Sequence, residues 1–263
     1  MIFYKTKEEI ELLRQSNLLV GQTHAEVAKL IQPGITTEIL NNRAEEFILD
    51  NGGVPAFKGY NGFPGSLCIS INDEVVHGIP GKREIKDGDI VSIDCGVILN
   101  EFVGDSAYTY PVGEVAEDTL NLLRVTKESL YKGIEMAVTG NRIGDISYAV
   151  QKHAESFGYS VVRELVGHGV GRNLHEKPEV PNFGKRGSGT VLSEGMTLAI
   201  EPMINAGEYV VATAADNWTV TTLDQSMSAH FEHTVAIGKN KADILSTFKY
   251  IKEALEENIN VPV

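Results

Sequence analysis

The stretch DGDIVSID, residues 87–94, is followed 107 residues later by EGMTLAIE, residues 194–201. In both stretches an acidic residue and a glycine precede a short apolar run that ends in a second acidic residue, Asp94 or Glu201. A short apolar run that follows a glycine turn is typical of a buried strand. The repeat therefore predicts two related halves, each with a carboxylate at the end of a strand. Such a pair could face each other across a pseudo-twofold axis and build a two-metal site.

The repeat extends beyond these two strands. Gly34 matches Gly140 and Gly52 matches Gly158, both at an offset of 106. Helical spacing of apolar residues predicts helices at about Thr6–Pro33, Thr37–Asp50, Asp118–Val138 and after Gly140. Strands are predicted at Asp89–Gly96 and, after a turn at Leu99–Glu101, through Asp105 to Tyr110. Helices and antiparallel hairpins in two related halves predict an α+β fold, with helices covering one face of a curved sheet.

We expect one catalytic domain over residues 1–263. Its pseudo-repeat halves are predicted at approximately 1–115 and 116–240, followed by a C-terminal helix and loose tail at 241–263. A chain of this length, with 42% hydrophobic residues, can bury a substantial core.

Charge and composition exclude several classes of protein. The net charge of −13 argues against nucleic acid or an anionic membrane as the main partner. Only two cysteines occur, Cys68 and Cys95, so a disulfide framework is not indicated and a reducing cytoplasm fits. The first residues lack the pattern of a signal peptide, and the sequence contains no apolar run long enough for a membrane span. We therefore expect a soluble cytoplasmic protein.

Strand alternation predicts where the acidic side chains point. Alternate residues of a strand share a face, so Asp94 lies opposite the apolar residues Val91 and Ile93 of its own strand. The same rule places Glu201 opposite Leu198 and Ile200 in the second copy. Both strands should therefore pack their apolar faces against helices and turn their acids inward. A third strand, which carries Glu232, is consistent with the same register.

The sequence offers five candidate metal ligands, four carboxylates and one imidazole: Asp94, Asp105, His168, Glu201 and Glu232. Ligands of this kind suit Mn²⁺, Fe²⁺, Co²⁺ or Zn²⁺, and four carboxylates supply enough negative charge for two divalent ions. A pair of ions can activate water at neutral pH and polarise a carbonyl group. Taken singly, an aspartate at a strand end is more often a cap or turn former. The combination of spacing, face and duplication favours a functional site.

Other histidines remain open to two interpretations at this stage. His77 and His175 lie in glycine- or proline-containing segments, and taken alone each is more often a surface or core histidine than a functional one. His24 and His153 fall inside predicted helices, and we expect both to be solvated. His233 should face away from the acidic cluster.

The sequence resembles the methionine aminopeptidases, because the five candidate ligands and the two histidines His77 and His175 match residues of that family. This family has the pita-bread fold that creatinase and prolidase share. The resemblance covers residues 5–238. Within the family, the sequence is similar to the short, type I bacterial form. Its signature-like segments are Asn72–Gly81, Ser92–Asp105, Gly167–Pro178, Glu194–Pro202 and Ser228–Thr234.

The resemblance implies a mechanism and a cofactor. Two divalent ions would be bridged by Asp105 and Glu232, with Asp94 on one ion and His168 and Glu201 on the other. Water activated by the ions would attack the first peptide bond, and Glu201 would accept and pass on the proton. His77 and His175 would be catalytic and substrate-binding donors of hydrogen bonds.

The resemblance also implies a substrate and a pocket. The enzyme would remove the N-terminal methionine from nascent proteins and peptides, with preference for a small second residue, and could act at the ribosome. Four residues match pocket positions of the family: Tyr60, Phe63, Cys68 and Trp218. They are also consistent with ordinary core aromatics and a buried thiol. We expect a monomer that uses neither nucleic acid as substrate nor a membrane.

Two other classes of function stay open. A dipeptidase or proline-specific peptidase of the same fold is disfavoured because the extra amino-terminal domain of that branch is missing. A catalytically silent binding module is disfavoured because all five candidate ligands are present.

Overall fold

A computed structural model describes the backbone of residues 1–259 and the side chains of residues 1–256. In this part of the chain the helices are α1 (Lys7–Ala28), α2 (Thr37–Asp50), α3 (Glu117–Glu135), α4 (Ile143–Ser156) and α5 (Lys249–Ile259). The predicted tail extends to residues 260–263, which lie outside the described residues. Among the residues described, no helix is both long enough and apolar enough to cross a membrane.

Short strands make up most of the remaining regular structure. They are β1 (Val54–Pro55), β2 (Leu67–Ile71), β3 (Glu74–Val76), β4 (Ile90–Leu99), β5 (Phe102–Pro111), β6 (Ser160–Val161), β7 (Val166–Gly169), β8 (Glu176–Pro181), β9 (Thr197–Ile200), β10 (Met203–Asn205), β11 (Val211–Thr213), β12 (Val220–Thr222), β13 (Ser228–His230), β14 (His233–Ala236) and β15 (Asp243–Ile244). A 3₁₀ turn occupies Tyr60–Gly62.

Two antiparallel sheets carry the candidate ligands. The first has the order β1-β4-β2, with β5 paired along the whole opposite edge of β4, and the second has the order β15-β14-β9-β7-β8. Helices α1 and α2 pack on the first sheet, and α3 and α4 pack beside the strands of the second half. The apolar faces of the strands join one core cluster with the helices, so the helices cover the side that faces away from the acids.

The first sheet is built around a long hairpin. Strands β4 and β5 pair from Ile90 with Pro111 to Leu99 with Phe102. Two residues connect them, Asn100 and Glu101, and both have positive φ (53° and 65°), which is the conformation of a type I′ turn. This turn matches the right-handed twist of the flanking strands and therefore fixes their register.

The two sheets are joined where β5 meets the segment that leads into β14. The amide of Glu232 donates to the carbonyl of Ala107 (2.9 Å), and the Ser106 hydroxyl donates to the carbonyl of Glu232 (2.7 Å). Close by, the Thr234 hydroxyl donates to the carbonyl of Asp105 (2.8 Å). Main-chain and hydroxyl hydrogen bonds therefore set the distance between the ligand strands of the two halves.

Matching glycines of the two halves have matching backbone conformations. Gly34 and Gly140 have φ of 91° and 93°, and Gly88 and Gly195 have φ of 87° and 86°. These values lie in the region that favours glycine, so each pair makes the same turn before an equivalent element. This correspondence supports our proposal that one domain consists of two pseudo-symmetric halves.

Two predictions from the sequence were wrong: the end of helix α1 and the exposure of His24. Helix α1 begins after the predicted cap, where Thr6 and Glu9 form a capping box, but it ends at Ala28 instead of Pro33. The residue before a proline is disfavoured in a helix, and the chain leaves the helical path early enough for Leu30 to pack on the core.

His24 is buried, although we expected it to be solvated. Its Nδ1 atom lies 3.0 Å from the hydroxyl of Tyr110 and its Nε2 atom 2.9 Å from the carbonyl of Ser106. Strand β5 covers this face of α1, so the ring is desolvated and its pKa is lowered to about 4. His153 is half-buried and lies 3.0 Å from a carboxylate oxygen of Glu128.

Candidate active site

Asp94 and Asp105 lie on the same face of the β4–β5 hairpin. Asp94 is paired with Ala107 and Asp105 with Gly96, so the two carboxylates are diagonal neighbours. The absence of a side chain at Gly96 has a packing reason, because a Cβ atom there would lie 2.5 Å from the ring of Phe57. The hairpin therefore presents two acids side by side without a bulky residue between them.

The second sheet repeats this arrangement with a histidine and a glutamate. His168 on β7 pairs with Ala199 on β9, and Glu201 follows two residues later on the same face. Thr234 pairs with the same Ala199, which brings Glu232 to this face from the other side. Each sheet thus contributes a diagonal pair of candidate ligands, and Glu232, directly before β14, is the fifth.

The distances show a tight cluster. One ligand atom each from Asp105, His168 and Glu232 lies within 4.8 Å of the other two. The Nε2 atom of His168 lies 3.7 Å from Asp105 Oδ2 and 3.4 Å from Glu201 Oε1. Hydrogen bonds are shorter than this, whereas such separations suit two donor atoms that share one ion.

Three buried carboxylate oxygens of the cluster have no hydrogen-bond partner among the residues described: Asp94 Oδ1, Asp105 Oδ1 and Glu232 Oε1. A buried unpaired charge is costly, and a cation removes that cost. His168 is also oriented to bind a cation, because its Nδ1 atom lies 2.9 Å from the carbonyl of Gly169. A proton on Nδ1 leaves the Nε2 lone pair free for a ligand bond. The residues therefore fit a divalent metal ion.

Electrostatics support the same interpretation. Burial raises the pKa of Asp94 to about 7 and that of Glu201 to about 8. Burial, followed by repulsion from neighbouring acids, also raises the pKa of Asp105 and of Glu232. Burial lowers the pKa of His168 to about 3, so its ring is neutral at pH 7 and available to a metal. Bound metal ions would supply the positive charge that stabilises the ionised form of these carboxylates.

We expect metal-free protein to lose stability as the pH rises from about 4.5 to 8. Asp94 and Glu201 keep protons in the folded state that the unfolded chain loses at its lower pKa, so stability falls as the pH rises from the unfolded pKa to the folded pKa and levels off above it. Each retained proton corresponds to about 1.4 kcal/mol per pH unit. Urea unfolding after chelation should show the decline, and Mn²⁺ should remove it.

Glu201→Gln is the matched variant for this measurement, because it removes one of the titrating groups from the cluster. Its metal-free form should lose less stability over the same range of pH. Equal slopes for the variant and the parent protein would contradict the assignment of the decline to this cluster.

All eleven site residues predicted from the sequence line one cavity of about 200 Å³. Five are the candidate ligands, and the others are Tyr60, Phe63, Cys68, His77, His175 and Trp218. The remaining lining residues, Phe57, Asn61 and Leu174, were not predicted. Leu174 directly precedes His175, which is the one signal that could have identified it; nothing in the local sequence distinguishes Phe57.

The two further histidines lie at the rim of the acidic cluster. The ring of His175 lies 4.3 Å from that of His168, measured between centroids, and its Nδ1 atom is 2.8 Å from the hydroxyl of Tyr60. His77 has a positive φ of 60°, which is uncommon for a residue with a side chain. Gly78 permits this turn, since a Cβ atom there would lie 2.1 Å from the carbonyl oxygen of Ile69.

Aromatic rings and a thiol also line the cavity. The rings of Phe63 and Trp218 meet edge to face with centroids 5.2 Å apart. Cys68 pairs with Asp94 across β2 and β4, which brings its side chain next to the cluster. Burial, reinforced by the nearby acids, raises the pKa of this thiol, so it stays protonated and apolar.

His230 is a neighbour of the cluster that the sequence did not identify. Its Nε2 atom is buried, has no hydrogen-bond partner among the described residues, and lies 3.6 Å from Glu201 Oε2. Glu201 therefore lies between two imidazole rings, those of His168 and His230.

Comparison with known proteins agrees with this geometry. Residues 11–239 match the metallopeptidase family M24. Methionine aminopeptidase 1 of Bacillus subtilis is 54% identical over 246 residues, which cover 94% of this chain and 99% of the relative. The crystal structure of methionine aminopeptidase from Rickettsia prowazekii is 43% identical, with a TM-score of 0.93, and the match covers 94% of this chain and 100% of that chain.

A more distant likeness concerns the fold alone. Prolidase from Pyrococcus furiosus is 24% identical, with a TM-score of 0.77, and the match covers 93% of this chain and 65% of that chain. The structural matches confirm the predicted α+β, pita-bread fold.

Proposed function

Since the chain belongs to the methionine aminopeptidases of the metallopeptidase family M24, we propose that it removes the N-terminal methionine when the second residue is small, at a site with two divalent ions. Its substrates are the N-termini of nascent chains. The observation that carries the proposal is the cluster of four acids and His168 at the inner end of a small aromatic cavity.

The residues that would hold the ions are Asp94, Asp105, His168, Glu201 and Glu232. Four carboxylates can balance two divalent ions, and hard oxygen donors with one imidazole suit Mn²⁺, Fe²⁺, Co²⁺ or Zn²⁺. Bound ions would lower the pKa of a water molecule and polarise the first peptide carbonyl.

The histidines at the rim would orient and stabilise the reacting amide. Burial lowers the pKa of His77 to about 4 and also lowers the pKa of His175, so both rings are neutral at pH 7. When the Tyr60 hydroxyl donates to Nδ1 of His175, the ring proton is on Nε2. That N–H is then free to donate to an oxygen that gains negative charge during the attack.

Glu201 would move the proton. It lines the cavity with the other acids, so its carboxylate would lie close to a water molecule bound there. A carboxylate of this kind can take a proton from the attacking water and return it to the departing amine.

The aromatic end of the cavity would bind the methionine side chain. Phe63, Trp218 and Cys68 present polarizable atoms to an unbranched thioether, and sulfur–aromatic contacts contribute about 0.3–1.5 kcal/mol. A contribution of this size separates methionine only weakly from other apolar side chains, because one methylene in an apolar pocket is itself worth about 1–3 kcal/mol. Selectivity for methionine should therefore also depend on the shape of the cavity and on the contact between the α-amine and the metal site.

Four peptides test this function. We expect cleavage of Met-Ala-Ser, slow cleavage of Met-Leu-Ser and no cleavage of acetyl-Met-Ala-Ser, because a large second residue is excluded and an acetylated amine cannot approach the metal site. Released amino acid is quantified after incubation with Mn²⁺-loaded protein. Preferential cleavage of the fourth peptide, Ala-Pro-Ser, would instead support a proline-specific peptidase, and cleavage of none would support a silent binding module.

Action in the cytoplasm, as a monomer and on chains that are leaving the ribosome, is also part of this proposal. The pair of buried, unlinked cysteines, Cys68 and Cys95, supports the cytoplasmic location alone, because free thiols are typical of a reducing compartment.

A further inference from the structure

The N-terminal strap, defined as residues 2–5, contacts the segment that carries His175. We propose that Lys5 is a positioning residue for His175 and acts through Glu176. This inference rests on the role proposed above for His175 in turnover.

A buried ion pair connects the strap to this segment. The Lys5 ammonium lies 2.5 Å from Glu176 Oε2, and the two side chains are only 6% and 3% exposed. Charges that are removed from water in this way hold each other firmly, because loss of either partner leaves the other unpaired. The Lys5 amide also donates to the carbonyl of Gly195 (2.7 Å), which fixes the lysine backbone against the loop before β9.

Glycines make room for the pair. A Cβ atom at Gly171 would lie 2.5 Å from Lys5 Cε and 2.6 Å from Glu176 Oε1. A Cβ atom at Gly195 would lie 2.9 Å from the Lys5 carbonyl oxygen. Both loops are thus closely packed around the lysine, and the position of its ammonium group is well defined.

The carboxylate of Glu176 connects Lys5 to the turn that presents His175. Its Oε2 atom binds the lysine, while Oε1 accepts from the amide of Asn173 (3.3 Å) and so closes the turn Asn173–Glu176. His175 lies within this turn, adjacent to Glu176. On the cavity side its ring contacts the Tyr60 hydroxyl, which is exposed to the substrate space.

A second ion pair on the same segment provides a control. Arg172 pairs with Glu101 at 2.6 Å, but the two side chains are 54% and 80% exposed. An exposed pair contributes little, because solvent screens it. Glu101→Gln therefore alters a charge next to the same segment without removing a buried partner.

The test combines Lys5→Met with His175→Ala in Mn²⁺-loaded protein. We expect Lys5→Met to lower kcat by about 10–100-fold, as is typical for residues that support a functional group, with a smaller change in KM and unchanged metal content. In the His175→Ala background the same substitution should change kcat by less than about threefold, because the group that it positions is already absent. Lys5→Arg should restore most of the activity, and Glu101→Gln should behave like the parent protein.

A direct measurement accompanies the kinetics. In metal-free protein labelled with ¹⁵N-histidine, Lys5→Met should shift or broaden the ring resonances of His175, and Glu101→Gln should not. If Lys5→Met does not fold, as circular dichroism would report, Lys5→Gln takes its place in both experiments.

Two outcomes would overturn the inference: full activity of the lysine variant, or losses that multiply in the double variant as they would for a general loss of stability. An unchanged kcat in His175→Ala alone would instead refute the proposed role of His175. The two failures are therefore distinguishable.

Discussion

Removal of divalent ions should abolish peptide cleavage by this chain, and Mn²⁺, Co²⁺ or Fe²⁺ should restore it. The reason is that the cavity presents four acids and a neutral imidazole, and the buried, unpaired oxygens of Asp94, Asp105 and Glu232 fit a cation. Activity against Met-Ala-Ser is measured after dialysis against a chelator, with the metal content determined for the same samples. Individual ions are then titrated back.

Variants of single carboxylates refine this prediction. Asp105→Asn and Glu232→Gln should bind metal more weakly, and so require more ion for the same activity, because each removes a charged ligand. Glu101→Gln, at an exposed position outside the cavity, should show the titration curve of the parent protein. Full activity in thoroughly metal-free protein would refute the metallopeptidase mechanism proposed for this cavity.

Replacement of His77 or His175 by alanine should lower kcat by about 10²–10³-fold, which corresponds to roughly 2.7–4 kcal/mol. Each ring is neutral at pH 7 and lies at the rim of the acidic cluster, where it can donate to the reacting amide. The metal content should remain that of the parent protein, since neither histidine is among the proposed ligands.

His153→Ala is the matched control, because this histidine lies on α4 and pairs with Glu128 outside the cavity. Its turnover should be unchanged. A His77 or His175 variant that bound metal poorly but turned over normally per bound ion would show that the histidine is a ligand and not a donor to the substrate.

The positions of the candidate ligands could be predicted because they depend on strand geometry. Alternation along β4 and β9 places Asp94 and Glu201 on the face opposite the core, and the structure shows both on the cavity. The repeat of acid, glycine and apolar strand indicated that both halves contribute. The roles of these residues in binding ions and in turnover stay predictions.

Features that depend on contacts between distant segments could not be predicted. His24 looks like an exposed helical residue until strand β5 supplies Tyr110 and Ser106 as partners. Phe57 enters the cavity because Gly96 leaves space for its ring. The ion pair of Lys5 and Glu176 joins residues 171 positions apart, and neither has a local pattern that identifies the other.

The distribution of the candidate ligands over both halves of the chain has a consequence for the amount of protein in the cell. Asp94 and Asp105 come from the first half, while His168, Glu201 and Glu232 come from the second. Ions bound by all five would connect the halves, and ligand binding to the folded state stabilises it by about 4 kcal/mol at a thousandfold excess over Kd. A shortage of metal would then raise the fraction of unfolded chain that proteases can degrade. The abundance of the enzyme, and not only its turnover, should therefore follow the metal supply of the cell.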